Sequence, residues 1–210
     1  MASPEVLQQD AAPPLILASA SVSRARLLAA AGVAFEQRPA AVDEASVRDA
    51  LRAEQVPPAD AATALAELKA ERVARQASPD AVVLGADQIL VCEGRWFAKP
   101  ADLAEARGQV EQLAGRAHQL ATAVVGFRGR ARIWHSAAEA RLWLRPCSAA
   151  FLDRYLTALG ERALASVGAY QIEGPGAQLF ARIEGDHFAI QGLPLLEVLE
   201  FLRAQGVLGR

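Results

Sequence analysis

The sequence predicts an α/β fold on a mixed β-sheet, and three observations carry that reading. Two short apolar runs, residues 15–18 and 81–84, have the unbroken hydrophobic character of strands buried on both faces. Segments of helical periodicity lie between and after them. A long segment, residues 117–145, alternates apolar and polar side chains on either side of Arg128-Gly129, as a hairpin does.

The elements follow in order. After Pro13-Pro14 comes the strand at 15–18, then a short helix over 27–31 that Gly32 ends. Residues 35–38 read as extended. Helices are expected over 43–54 and 60–76, with Pro57-Pro58 between them. The run 81–84 is the second buried strand, and apolar character resumes at 89–91 after Asp87. A helix over 103–113 precedes the hairpin. Amphipathic helices over 151–159 and 195–204 follow, with 178–190 extended between them. No internal repeat is present, and no linker rich in Gly, Pro or Ser divides the chain. Residues 15–208 therefore read as a single domain, and residues 1–14 as a disordered N-terminal extension.

Composition bounds the function. The chain has 210 residues, 52% of them hydrophobic, which is ample for a sizeable core. Its formal net charge of −2 supplies no field toward nucleic acid or anionic lipid, and no Lys/Arg-rich arm compensates. The first fourteen residues lack the basic and apolar regions of a secretory signal, and no apolar run approaches the roughly 20 residues of a membrane span. Cys92 and Cys147 form no C-x-x-C pair, so two reduced thiols are expected rather than a disulfide. The expectation is a cytoplasmic protein with no nucleic-acid or membrane partner.

The chemistry begins at Ser19-Ala20-Ser21-Val22-Ser23-Arg24, where a buried strand runs into a loop of small hydroxyl residues that opens a helix. Free N–H groups at a helix start attract anions. Ser23 as a simple helix cap fits too. Arg24 and Arg26 tilt the balance toward phosphate binding, because cations in a first turn oppose the helix dipole unless an anion sits there. Asp87 stands at the expected C-terminal end of a buried strand, the edge where ligands sit in open α/β sheets. A carboxylate there is either capped as a turn residue or paired with a cation. Lys69 shares its helix face with Ala62, Leu65, Ala66 and Val73, so its stem lies on an apolar stripe and its ammonium is expected to snorkel outward. Lys99 is held extended by Pro100, and Glu44 follows Asp43 at a helix start.

Several constellations are missing. There is no G-x-x-x-x-G-K-[ST] loop, no G-x-G-x-x-G after a strand and no G-x-S-x-G elbow. His118, His135 and His187 lack metal-ligand spacing and read as surface or hydrogen-bonded core residues.

Taken together, these segments resemble the Maf nucleotide pyrophosphatases, a family named for an association with septum formation. The matching pieces are Leu17-Ala18-Ser19-Ala20-Ser21 with Arg24, Asp43-Glu44, Lys69-Ala70, Gly85-Ala86-Asp87 and Lys99-Pro100. Gly115-Arg116 with His118 and Thr122, Ile172-Glu173-Gly174, Arg182 to Gly185, and Gly192-Leu193-Pro194 complete the set. The resemblance implies a twisted mixed sheet in two lobes with a central cleft, similar to inosine triphosphatase. It also implies a homodimer and hydrolysis of nucleoside triphosphates with a divalent cation, Mg or Mn. Carried over by position, Asp87 activates water and Glu44 and Asp87 hold the metal. Ser19, Ser21, Arg24, Lys69 and Lys99 clamp the phosphates.

Departures from the family pattern bear on the base. Val22-Ser23 replace the proline and first arginine of S-P-R-R, Gln88 stands where many members have threonine, and Glu173 interrupts I-Q-G. Gln88 with Glu173 resembles the subgroup acting on 7-methylguanosine triphosphate. These two residues and Ser23 are the expected specificity positions, favouring a guanine-type base. The biological expectation is house-cleaning of the nucleotide pool, with a link to division arrest. The rival readings are a non-catalytic nucleotide-binding regulator of septum formation and a phosphatase that releases orthophosphate.

Overall fold

A computed structural model describes residues 12–209, so residues 1–11 of the expected N-terminal extension lie outside the described residues. The chain runs β1 (Leu15–Leu17), α1 (Val22–Ala30), β2 (Glu36–Gln37), α2 (Glu44–Ala53), α3 (Pro58–Ala74), β3 (Val82–Cys92), β4 (Arg95–Phe97) and α4 (Leu103–Leu113). It continues through β5 (Ala117–Arg128), β6 (Ala131–Leu144), α5 (Ala149–Leu159), β7 (Phe180–Glu184), α6 (His187–Ile190) and α7 (Leu195–Ala204). Three 3₁₀ turns, Gly160–Ala165, Val167–Ala169 and Pro175–Leu179, lie between α5 and β7. The strands form one mixed sheet in the order β2-β1-β3-β5-β6-β7, with β4 paired to β3. The expected α/β class with a mixed sheet is what the chain adopts. No helix among the described residues is long and apolar enough to cross a membrane.

The chain gathers into two compact units. The first contains residues 12–88, 122–138 and 192–209; the second contains residues 89–121 and 139–191. In the first, β1 lies between β2 and β3, parallel to both, with Leu15, Ile16 and Leu17 opposite Val82, Val83 and Leu84. All six of those β1 and β3 side chains are buried, which explains why their runs read as unbroken apolar. Helix α3 starts with Pro58, whose fixed φ and missing N–H suit a helix's first position. Its buried face is built mainly of alanines, Ala61, Ala62, Ala66 and Ala70, so its backbone can approach the sheet closely. At Gly85 of β3 the approach is closest: a Cβ there would lie 2.1 Å from the Ala66 carbonyl oxygen and 2.7 Å from the Ala70 nitrogen.

The second unit has its own core, where Leu90, Phe97, Val110, Leu113, Leu142, Leu152, Tyr155 and Leu179 pack together. There β6 and β7 pair antiparallel, Arg141 opposite Glu184 and Trp143 opposite Arg182, with an irregularity after Trp143. Cys92 and Cys147 form no disulfide.

Three expectations are corrected. Asp87 does not end a strand: β3 is one eleven-residue strand that passes through it. Burying a lone carboxylate within a strand is costly, but here Lys69 pairs with it. Helix α1 begins at Val22, ahead of the cap expected at Ser23 and of the 27–31 run, because Ser21 caps it. Of residues 178–190, Phe180–Glu184 alone form a strand; the Gly174-Pro175-Gly176 turn and the Asp186 cap, which starts α6, confine it.

Candidate active site

The first unit builds a polar cluster where the β1–β3 ladder stops. That parallel ladder ends at Leu17 opposite Leu84, and the Ala18 N–H donates to the Leu84 carbonyl at 2.7 Å. The loop after β1 is shaped by its own hydroxyls. Ser21 N–H donates to Ser19 Oγ at 3.2 Å, and Ser21 Oγ accepts from Arg24 N–H at 3.4 Å. Ser21, not Ser23, is therefore the helix cap; Ser23 is the second residue of α1 and half-buried.

Arg24 turns inward. Its Nε donates to the Gly192 carbonyl at 2.8 Å, and its Nη1 donates to Ser19 Oγ at 3.0 Å and to the Ala86 carbonyl at 2.9 Å. Burial pulls this guanidinium below its ordinary value, while the charges of Asp87 and Glu44 act in the opposite direction. These three acceptors answer the puzzle of a cation in a helix's first turn without an anion. Nη2 takes no part in these bonds. Arg26, by contrast, is exposed.

Lys69 does not snorkel. It is 5% exposed, and its Nζ lies 2.5 Å from Asp87 Oδ1 and 2.8 Å from Glu44 Oε2. Asp87, itself 4% exposed, has its second oxygen, Oδ2, buried without a hydrogen-bond partner among the described residues. Glu44 opens α2, where Asp43 is the cap, so its carboxylate sits at a favourable helix N-terminus. It is 40% exposed, so the burial cost expected for both carboxylates falls on Asp87 alone.

A divalent cation makes definite demands on this donor set. Among the described residues no group of three or more His, Cys, Asp or Glu side chains could hold a metal. A Mg²⁺-type ion, however, takes one or two protein carboxylates and completes its shell with water and phosphate oxygens. The orphaned Asp87 Oδ2 and the half-exposed Glu44 fit that demand.

A family profile for Maf-like proteins matches residues 14–205. The chain belongs to the Maf-like protein family. It is 54% identical over 189 residues to a nucleoside triphosphate pyrophosphatase of Granulibacter bethesdensis, covering 90% of this chain and 95% of the relative. A protein of the same name from Paramagnetospirillum magneticum is 50% identical, covering 92% and 99%. A 7-methyl-GTP pyrophosphatase of Rhizobium meliloti is also 50% identical, covering 93% and 98%.

In this Maf-like chain, contacts link Ser19, Ser21 and Arg24 on the one hand and Glu44, Lys69 and Asp87 on the other, and the Arg24–Ala86 bond joins the two groups beside Asp87. Gln88 belongs to the same unit, and its Nε2 donates to Thr122 Oγ1 at 2.8 Å. Lys99 and Glu173 are carried by the second unit, both exposed, with Glu173 in a turn closed by Gly174 N–H donating to the Gln171 carbonyl. Burial, with a smaller push from the Glu173 charge, raises the Tyr155 hydroxyl well above its ordinary value. His118 is a core residue of the second unit, its Nε2 2.9 Å from the Tyr170 hydroxyl.

Two site components escaped sequence reasoning because they are main-chain atoms, the carbonyls of Ala86 and Gly192. The signal for the second was the glycine itself: Gly192 has φ +107°, and a Cβ on it would lie 3.0 Å from Arg24 Nε. Gln37, which donates to the Ser19 carbonyl at 2.9 Å, carried no signal at all.

Proposed function

We propose that this protein hydrolyses nucleoside triphosphates at the α–β phosphoanhydride, releasing a nucleoside monophosphate and pyrophosphate. The observation that carries the reading is the buried Asp87 carboxylate, held through Oδ1 by Lys69 and left with Oδ2 unpartnered. A carboxylate so arranged is oriented and still has an oxygen to accept a proton from water. One water is consumed: its oxygen bonds to phosphorus, the bridging P–O bond breaks, and the water's proton passes to Asp87 and then to solvent.

Ser19, Ser21, Arg24 and Lys99 supply hydroxyl and cationic donors for the triphosphate oxygens, which a polyanion needs in a water-poor site. Lys69 keeps the Asp87 oxygen aimed. Glu44 and Asp87 would hold a divalent cation, Mg²⁺ or Mn²⁺, which neutralises phosphate charge and lowers the pKa of bound water. The names of the relatives support this reaction class. We read residues 15–208 as one functional domain, working on the nucleotide pool of the cytoplasm as a homodimer.

For the base, Glu173 is an acceptor-only carboxylate, which suits the N1–H and exocyclic amine of guanine and repels the carbonyls of thymine and uracil. The 7-methyl-GTP pyrophosphatase of Rhizobium meliloti supports a guanine-type base, methylated or not. The test is a panel of normal and 7-methylated nucleoside triphosphates with Mg²⁺ or Mn²⁺, resolving monophosphate, pyrophosphate and orthophosphate. Equimolar monophosphate and pyrophosphate are expected. Orthophosphate as the first product, or binding without turnover, overturns the proposal.

A further inference from the structure

The two carboxylates assigned to the metal already share a cation. Lys69 Nζ lies within 2.8 Å of both Asp87 and Glu44, and no third carboxylate, histidine or cysteine joins them among the described residues. Arg24 is also coupled electrostatically to the same two acids. Arg48 Nη2 lies 3.8 Å from the same Glu44 oxygen, so two acidic and three basic side chains give the cluster a formal charge of +1. A divalent ion entering alone would meet carboxylates already neutralised, beside resident positive charges. Beside the buried Lys69 and Asp87 that repulsion is damped less than in bulk solvent. A divalent ion bound to a triphosphate carries a net negative formal charge instead, and Lys69 and Arg24 then attract it.

We infer that the protein takes up its divalent cation together with the triphosphate, as one complex, and that Lys69 imposes this coupling. The inference rests on the pyrophosphatase reading for its ligand and adds the chemical form in which that ligand binds. Binding linkage makes the coupling reciprocal: whatever factor the nucleotide adds to metal affinity, the metal adds to nucleotide affinity.

The experiment uses the full chain, Mn²⁺ and the non-hydrolysable α,β-methylene analogue of guanosine triphosphate. Free Mn²⁺ is followed by its electron paramagnetic resonance signal, and binding of the analogue by calorimetry with and without Mn²⁺. For the wild type, Mn²⁺ alone should bind at least about tenfold more weakly than to Lys69→Met, and the analogue should bind at least about tenfold tighter with Mn²⁺ than without, within the usual span of coupling factors. Lys69→Arg, which keeps the charge, should bind Mn²⁺ as weakly as the wild type. If Lys69→Met does not fold, Lys69→Gln takes its place, and the wild-type measurements stand independently of either variant. Wild-type protein that binds Mn²⁺ alone as tightly as the uncharged variants overturns the inference. Hydrolysis of the parent triphosphate is measured separately, so a wild type that couples metal to nucleotide yet releases no pyrophosphate would refute the pyrophosphatase reading and leave this one standing.

Discussion

Gly85 lies so close to Ala66 that a Cβ on the glycine would stand 2.1 Å from the Ala66 carbonyl oxygen. Gly85 is two residues before Asp87 in β3, and Ala66 is three before Lys69 in α3. The contact of strand with helix therefore sets how near the lysine comes to the aspartate. Gly85→Ala should push α3 off the sheet and destabilise the fold by about 3 kcal/mol or more, the upper range for overpacking at a rigid contact. Thermal or denaturant unfolding measures this. An Ala variant as stable and active as the parent would show that the contact has slack.

Asp87→Asn keeps the shape of the side chain and removes its basicity. Turnover should fall by roughly 10²–10⁴, the usual scale for losing a general base. Affinity for a non-hydrolysable triphosphate should persist. Steady-state kinetics of pyrophosphate release with near-normal kcat in a folded variant would remove Asp87 from its proposed role.

Arg24 and Lys99 should separate by what else they hold. Arg24→Ala strips donors from Gly192, Ala86 and Ser19, so it should lower stability by about 2–4 kcal/mol as well as weaken triphosphate binding. Lys99 is exposed, and Lys99→Ala should weaken binding or turnover by about 1 kcal/mol or more, at a smaller cost in stability than Arg24→Ala. Melting temperature and kcat/KM together decide. Wild-type kinetics in both variants would rule out the phosphate clamp.

Glu173→Gln, alone or with Gln88→Thr, should shift the ratio of kcat/KM from guanine toward thymine and uracil by about tenfold or more, the cost of mispairing one polar group. Gln88 donates to Thr122, so the double variant also removes that hydrogen bond. A uniform loss on every nucleotide would place Glu173 away from the base.

His118 makes stability depend on pH. Burial pushes its imidazole down to about 4, whereas in the unfolded chain it titrates near 6.5. Between those values the unfolded chain holds a proton that the folded one does not. Its full contribution is present above about pH 6.5 and is lost as pH falls toward 4, by about 3 kcal/mol in all. Denaturant midpoints at pH 7 and pH 5 should converge in His118→Gln. Identical pH dependence in the variant and the parent would contradict this.

Much of this was legible in the sequence, for definable reasons. The strands at 15–17 and 82–84 and the hairpin around Arg128-Gly129 announced themselves through burial patterns local to each segment. Lys69, Glu44 and Asp87 were picked out by resemblance, but their arrangement was not. A lysine on an apolar stripe normally reaches outward, and it takes an aspartate in an adjacent strand to turn it inward. Nothing local to the strand shows that it continues through Asp87, because the partner that makes this possible lies eighteen residues away on another element. The carbonyls that hold Arg24 have no side-chain identity, so no residue type could advertise them.

The order in which the site comes into existence follows from the Arg24–Gly192 bond, whose partners are 168 residues apart. During synthesis the hydroxyl loop leaves the ribosome long before the carbonyl that anchors its arginine. A chain cut just before Gly192 by a premature stop or by proteolysis carries every side chain proposed for chemistry yet lacks that anchor. The set of the hydroxyl loop's arginine is in this way made to wait for the segment that carries Gly192.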